Sequence, residues 1–305
     1  MGDQPPSCLI IGDANLDLIA DVTDKIESWA GTANACLFSH IRECVGGNGV
    51  FFAEAAREAG FSPVSLELAV GRTSTGEVDG AGGVVLNHLD QHGIEYQLTH
   101  SKLPTGKTFI IYHGEDERLL VADRGANIEK RSTGPPDGPS PDFLYLSGYC
   151  LLDEAERRRT LLLVHRYKDA GAFTFLDVVP HDLPALVDWN TYLGWCGGMD
   201  GIAIEAPTLR DFLGLMEFAE VGRAGIDALQ EHFELSLVRL NSASDYAIAT
   251  PEGRMETTVR YRRQEASLRF TDRVIAGVAL EYLTNRSTLL TDAGWIEAIQ
   301  ERVDP

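Results

Sequence analysis

The feature that most constrains this chain is a rhythm, in which short apolar runs alternate with stretches of helical period along most of its length. Residues 7–11, 64–71, 94–98, 143–147, 173–177, 201–204 and 235–240 read as strands. Between them, residues 51–59, 75–92, 154–170, 207–215 and 224–232 carry apolar positions at three- and four-residue spacing and read as helices. Strands joined through helices lie parallel, because a parallel neighbour can be reached only by a crossover; the rhythm therefore predicts an α/β fold with a mainly parallel sheet and helices on its faces. It breaks in two places. Residues 18–45 are irregular and then β-like, and residues 109–112 and 118–122 are short strands around the polar turn 113–117. A hairpin that interrupts a βα rhythm reads as a lid or flap. Residues 246–250 and 257–261 form another pair of short strands, and helices after Asp272 and near 295–302 close the chain. With no repeat, low-complexity tract or linker, the expectation is a single α/β domain over 1–305, with a β lid from parts of 14–45 and 103–124.

Charge and cysteine usage narrow the partners. Acidic residues outnumber basic ones by 46 to 26, a formal net charge of −20, which argues against nucleic acid and anionic membrane. It does not argue against a phosphorylated small molecule, which responds to the local field of its cleft. Of the basic residues only Lys25, Lys102, Lys107, Lys130 and Lys168 are lysines. Cys8, Cys36, Cys44, Cys150 and Cys196 are scattered, odd in number and without a C-x-x-C pair, as expected of a chain in a reducing cytoplasm with no structural metal. The first residues resemble no signal peptide, and no apolar run has the length of a membrane span, so a soluble protein is expected. The 8 histidines read as dispersed, without a metal-type pair; His181, beside Asp182 past the end of a strand, is the one placed to meet a ligand or simply to turn the chain.

Three stretches carry candidate chemistry. Asn15 and Asp17 follow the first strand at alternate positions and point the same way on an extended chain; they could hold a sugar's hydroxyls or shape an Asx turn. Gly46-Gly47-Asn48-Gly49 opens a helix, where glycine lets a ligand approach the backbone; neither a G-K-[ST] nor a G-x-G-x-x-G pattern accompanies it. Asp272, in SLRFTDRVIAG, stands at the expected mouth of a helix, either as its N-cap or as a base facing a bound phosphate. Lys107, in the expected lid, reads as a solvated side chain within reach of a phosphate.

In order along the chain, IGDANLDLI, CVGGNGVFFAEAAREAG, LAVGRTSTGEVDGAGGVVLNHLDQHGI, PTGKTFIIYHGEDERLLVADRGAN, VRLNSASDYAIATPEGR and LRFTDRVIAG resemble the successive motifs of the PfkB-type, ribokinase-like family of sugar and nucleoside kinases. The resemblance implies a three-layer ribokinase-like sandwich with a small β lid, through which some relatives pair as homodimers. It further implies phosphoryl transfer from ATP, with Mg2+, to a hydroxyl of a sugar or nucleoside. On its terms Asp272 is the base, Asn15, Asp17, Gly46, Gly47 and Asn48 hold the substrate, and residues 269–271, Glu205, Asn241 and Gly277 face the nucleotide and its anion hole.

The same alignment shows where the chain departs. Arg269-Phe270-Thr271 replaces the G-A-G that precedes the aspartate in the family, Phe51 stands for an asparagine, Glu205 and Thr208 replace both ends of N-x-x-E, and RLNSAS around Asn241 replaces a glycine-containing turn. The departures gather on the nucleotide side. Two readings follow: an active small-molecule kinase with an altered donor site, and a pseudokinase that keeps the fold to bind a sugar-like ligand or a protein partner.

Overall fold

A computed structural model describes residues 4–23, 39–113, 118–130, 140–179, 183–196, 198–216, 221–240, 245–259, 267–285 and 289–290. The strands are β1 (Cys8–Ile11), β2 (Asn15–Asp21), β3 (Ile41–Gly46), β4 (Val64–Gly71), β5 (Glu95–Ser101), β6 (Gly106–Tyr112), β7 (Arg118–Asp123), β8 (Phe143–Ser147), β9 (Phe173–Asp177), β10 (Gly201–Glu205), β11 (Leu235–Arg239), β12 (Asp245–Thr250) and β13 (Gly253–Thr258). The helices are α1 (Asn48–Ala59), α2 (Gly80–Gln91), α3 (Glu154–Asp169), α4 (Trp189–Cys196), α5 (Ala206–Leu213), α6 (Ile226–Gln230) and α7 (Ser267–Asn285).

Nine strands form the central sheet in the order β13-β12-β11-β10-β9-β8-β1-β4-β5. Every pairing from β5 to β11 is parallel, and only β12 and β13 run antiparallel at one edge. Both faces are covered, which explains why the strands read as continuous apolar runs. Along β1 the period of two is visible in the packing: Cys8 and Ile10 join a core with Phe52, Leu66, Val274 and Val278, under α1 and α7, while Leu9 and Ile11 join the opposite core with Leu163, Val164 and Leu209, under α3 and α5. Arg273 on α7 also pairs with Glu58 on α1 at 2.7 Å.

Four strands, β3-β2-β6-β7, make the separate lid sheet, with β2 and β6 parallel and both outer pairs antiparallel. The expected hairpin is β6–β7. Three differences from the sequence expectation are local, the first being that the helix expected over 75–92 runs as Gly80–Gln91, capped by the Asp79 carboxylate after a turn. Helix α4 was not anticipated, because WNTYLGWC mixes aromatic and helix-neutral residues without a clear stripe. The expected strand over 257–261 is instead β13, beginning at Gly253, so the pair closes on a tighter turn. The expected helix near 295–302 lies outside the described residues.

The chain leaves β1 for β4 and β5 on one side and returns to β8 on the other, which makes the carboxyl ends of β1 and β8 the point where strand order reverses. Open α/β sheets bind ligands in the crevice at such a point. Here the lid is anchored to it by buried charge. Asp13, just past β1, takes both Arg124 Nε at 2.8 Å and Arg124 Nη2 at 2.9 Å, and also Lys130 Nζ at 2.7 Å. Arg124, which follows β7, also reaches Glu156 on α3 at 2.9 Å, and Lys130 further donates to the Gly12 carbonyl at 2.9 Å. Burial would push the Asp13 carboxyl up, but the Lys130 and Arg124 charges and hydrogen bonds outweigh it and hold the group far below the usual carboxylate range.

Removing one partner strands the others in a medium that solvates them poorly, so Asp13→Asn is expected to cost about 3 kcal/mol in chemical denaturation at neutral pH. Because the folded carboxyl is depressed, its stabilising contribution is complete above the unfolded value of about 4 and is lost as pH falls below it toward the folded value. The wild-type protein should therefore lose stability on acidification more steeply than Asp13→Asn; parallel stability-versus-pH curves would count against this linkage.

Candidate functional site

Asn15 opens β2 immediately beyond the switch point. Its register sets it opposite Gly46 of β3 and Gly106 of β6, with Asp17 two residues on, opposite Cys44 and Thr108. Asn15 is buried, donates to Thr108 Oγ1 at 3.3 Å and accepts from Asn127 Nδ2 at 2.8 Å. Asn127 in turn accepts from the Ala14 backbone at 3.1 Å. Asp17 is 3 % exposed, and its carboxylate lies over Gly46, where a Cβ would stand 1.7 Å from Oδ2. Glycine at 46 is thus what lets the carboxylate lie there. Gly47 has φ 92 and packs against the Asp13 carbonyl, a backbone state that L side chains rarely adopt.

Asn48 begins α1 and ties two strand ends together. Its Oδ1 accepts from the Asp13 backbone N–H at 3.2 Å, and its Nδ2 donates to Ser147 Oγ at the end of β8. The expected substrate-side residues Asn15, Asp17, Gly46, Gly47 and Asn48 therefore gather along one seam between lid and sheet. Lys107 lies on β6 with its side chain exposed.

A second group meets this seam from below. Tyr145 on β8 stacks on Phe52, ring centroids 3.7 Å apart, and donates to Asp177 Oδ2 at 2.7 Å. Burial pushes its phenol well above the ordinary value, and the charges of Asp177 and Asp272 push it the same way, while a hydrogen bond with Asn48 opposes them. Asn48, Tyr145, Asp177 and Asp272 thus form one buried polar constellation. Sequence reading missed Tyr145, Ser147 and Asp177. The signal was available, since Tyr145 and Ser147 are polar groups on a buried strand that borders the switch point and Asp177 ends the strand beside it.

The expectation that Asp272 stands at a helix mouth is corrected by the start of α7. The helix begins at Ser267, so Asp272 falls in its second turn and is neither its N-cap nor ahead of it. At that depth the N–H groups of Thr271 and Asp272 point back along the helix to the carbonyls four residues earlier, and only the first four N–H groups of a helix are left over. Phe270 is 1 % exposed and packs into the core beside Tyr246, with ring centroids 6.4 Å apart. Arg269 lies in the first turn of α7 and Gly277 is buried in its middle.

Two further nucleotide-side residues, Glu205 and Thr271, share Arg239 as a partner. Arg239, ending β11, pairs with Glu205, ending β10, at 2.7 Å, and reaches Thr271 Oγ1 at 3.4 Å. Burial raises Tyr246 to about 12, partly offset by its hydrogen bond with Thr271 and the charge of Arg239. Thr208 is buried in α5. Asn241, His181 and Asp182 lie outside the described residues. These groups do not fit an ATP phosphate with Mg2+ at Asp272: the bare backbone is replaced by helix interior, and Glu205 already has a guanidinium for its counter-ion.

Gly46→Ala is expected to displace Asp17 and to destabilise the protein by about 1–3 kcal/mol, as overpacking of a filled site does. Thermal unfolding measures it, and an unchanged midpoint would mean that the Asp17 carboxylate does not lie over Gly46.

No protein-family model matches this sequence, and no curated protein matches it. Solved structures do. A probable sugar kinase from Rhizobium etli superposes with a TM-score of 0.73 at 17% identity, covering 98% of this chain and 92% of its own. Adenosine kinase from Sinorhizobium meliloti gives 0.71 at 17% identity, with 92% and 89% covered. Ribokinase from Arabidopsis thaliana, in complex with ribose and ATP, gives 0.70 at 15% identity, with 99% and 100% covered. The chain has the ribokinase-like fold, the α/β sandwich shared by these sugar and nucleoside kinases.

Proposed function

We propose that this protein binds a polyhydroxylated small molecule of sugar or nucleoside type in the cleft between lid and sheet, and that its phosphoryl-transfer site is closed. The observation that carries this reading is the start of α7 at Ser267, with Phe270 in the core where the resemblance calls for a glycine turn. The substrate side supports it from the opposite direction: Asp17 and Asn15 remain beside the Gly46-Gly47 turn, a carboxylate and an amide suited to vicinal hydroxyls. The compartment that fits is the cytoplasm, given buried thiols at Cys8, Cys150 and Cys196; among the described residues no helix is long and apolar enough to cross a membrane.

A second reading has one observation in its favour. Asp272 shares the buried Tyr145 environment with Asn48, and so borders the expected substrate seam. On that reading the chain is an ATP-dependent kinase with Asp272 as base.

Calorimetry separates the two. A panel of pentoses, hexoses and nucleosides is titrated into the protein with and without MgATP. The expected outcome is saturable binding of at least one class without nucleotide, no heat with MgATP alone and no ATP consumption. Asp17→Asn should weaken that binding by about tenfold or more, as loss of a hydrogen bond to a charged group does. Heat with MgATP, together with turnover abolished in Asp272→Asn, would overturn the closed-site reading and establish the kinase.

We further propose a homodimer through the lid. Leu119, Leu120 and Val121 on the outer strand β7 are each about half exposed, and an apolar edge strand of this kind is a template for pairing. Sedimentation velocity at micromolar concentration should show a dimer that Val121→Glu reduces to monomer; a wild-type monomer would exclude it.

A further inference from the structure

Away from the ligand cleft, on the outer side of the α1–α2 pair, two histidines and a glutamate converge. His88 lies in the last turn of α2 and His92 is its C-cap, four residues on, so both project from the same side of the helix. This i, i+4 pair corrects the reading of the histidines as dispersed. The spacing is legible in NHLDQH, where the two histidines fall one helical turn apart. Glu54, on α1, completes the group and could not be assigned to it without the fold, since it comes from a different helix.

The three side chains lie close enough to converge on one ion. His88 Nε2 bonds Glu54 Oε1 directly, the His88 and His92 rings stand 4.1 Å apart at 32°, and one ligand atom from each of the three residues lies within 4.8 Å of the others. His92 Nδ1 contacts the His88 backbone carbonyl at 2.8 Å. With a proton on Nδ1, that bond fixes the ring and leaves the Nε2 lone pair for a ligand, the same outer hydrogen bond that orients metal-bound imidazoles. Arg57, one turn beyond Glu54, donates to the Gly93 carbonyl at 2.5 Å and so holds the turn after His92 against α1. Glu54 is 6 % exposed, whereas His92 is exposed, so the group is anchored on one side and open to solvent on the other.

An ion pair between Glu54 and His88 has no use for a second imidazole packed against the first. A cation does. We propose that Glu54, His88 and His92 form a binding site for a divalent transition metal of the zinc class, which staples α1 to α2. Two neutral imidazoles and one carboxylate match the borderline preference of Zn2+, Co2+ or Ni2+ rather than the all-oxygen shells of Mg2+ or Ca2+, and three protein ligands leave a further position for water. The other group of acid and thiol side chains, Asp13, Cys150 and Glu156, already holds Lys130 and Arg124 and needs no metal. The staple sits about 9 Å along α1 from Asn48, at 1.5 Å per residue. It joins the helix that opens at the Gly46-Gly47 turn to the helix whose cap, Asp79, holds Thr105 at the base of the lid.

The test uses the full chain without an affinity tag, stripped with chelator and titrated with CoCl2 while the visible spectrum is recorded, then with ZnCl2 as competitor. One equivalent of Co2+ should bind with d–d bands that Zn2+ removes, and Zn2+ should raise the thermal midpoint. His92→Gln, on the exposed side, should weaken binding at least tenfold and abolish the thermal shift while leaving the chelator-treated midpoint unchanged. Glu54→Gln and His88→Gln should do the same to binding. Absence of saturable Co2+ binding up to millimolar concentration, or binding that persists unchanged in both His88→Gln and His92→Gln, would overturn the site.

Discussion

Two buried carboxylates, a buried lysine and a partly buried arginine hold this molecule's two sheets in register. Asp13 and Glu156 belong to the sandwich, Arg124 follows the last lid strand, and Lys130 comes shortly after it. The set is neutral as a whole, and each charge has partners of opposite sign at hydrogen-bonding distance, the condition under which buried ions are tolerated. A hydrophobic cluster could have joined lid and sheet with comparable strength, but it would have left orientation loose. The bidentate geometry of Arg124 on Asp13 fixes direction as well as distance. Asn15, Asp17 and Asn127 inherit that precision, because they are attached within a few residues of the clamp on either side.

The opposite side of the cleft is organised by packing instead. Helix α7 is the helix most closely tied to the α1 side of the core, through Val274, Ile275, Val278 and Tyr282. Its first turn continues that packing, with Phe270 facing inward. A phosphate-binding turn requires the reverse: exposed backbone, no side chain, and a helix that has not yet begun. The two demands compete for the same few residues, and on the reading proposed above packing prevails at Phe270. Arg239 pairs with Glu205 beside Thr271, an internal ion pair at the ends of β10 and β11.

Much of the fold was legible because its strands are buried on both faces and bounded by glycine and polar turns. Residues 64–71, 143–147 and 173–177 were read with the bounds they have, as apolar runs of that length leave little freedom. The seam residues Asn15, Asp17 and Gly46 could be singled out for the same reason, being polar or bare where the pattern expects neither. What failed was context. Phe270 packs beside Tyr246, a long-range contact absent from any local window. Tyr145 looked like one more strand residue until Asp177 and Asn48 were seen around its hydroxyl. His88 and His92 needed only the helix to be drawn; Glu54 needed the neighbouring helix as well.

The inward position of Phe270 has an energetic consequence. Rebuilding Gly-Ala-Gly over 269–271 would empty a core site, at about 3–5 kcal/mol for a buried phenylalanine cut back to alanine. It would also introduce two glycines into a helix at about 1 kcal/mol each. Set against a typical net stability of about 5–15 kcal/mol, that is much of what a domain has. Because Phe270 fills a core site, opening this turn by substitution would weaken the packing of α7 before it freed any backbone N–H group. On the reading proposed above, the first turn of α7 would thus resist being reopened one residue at a time.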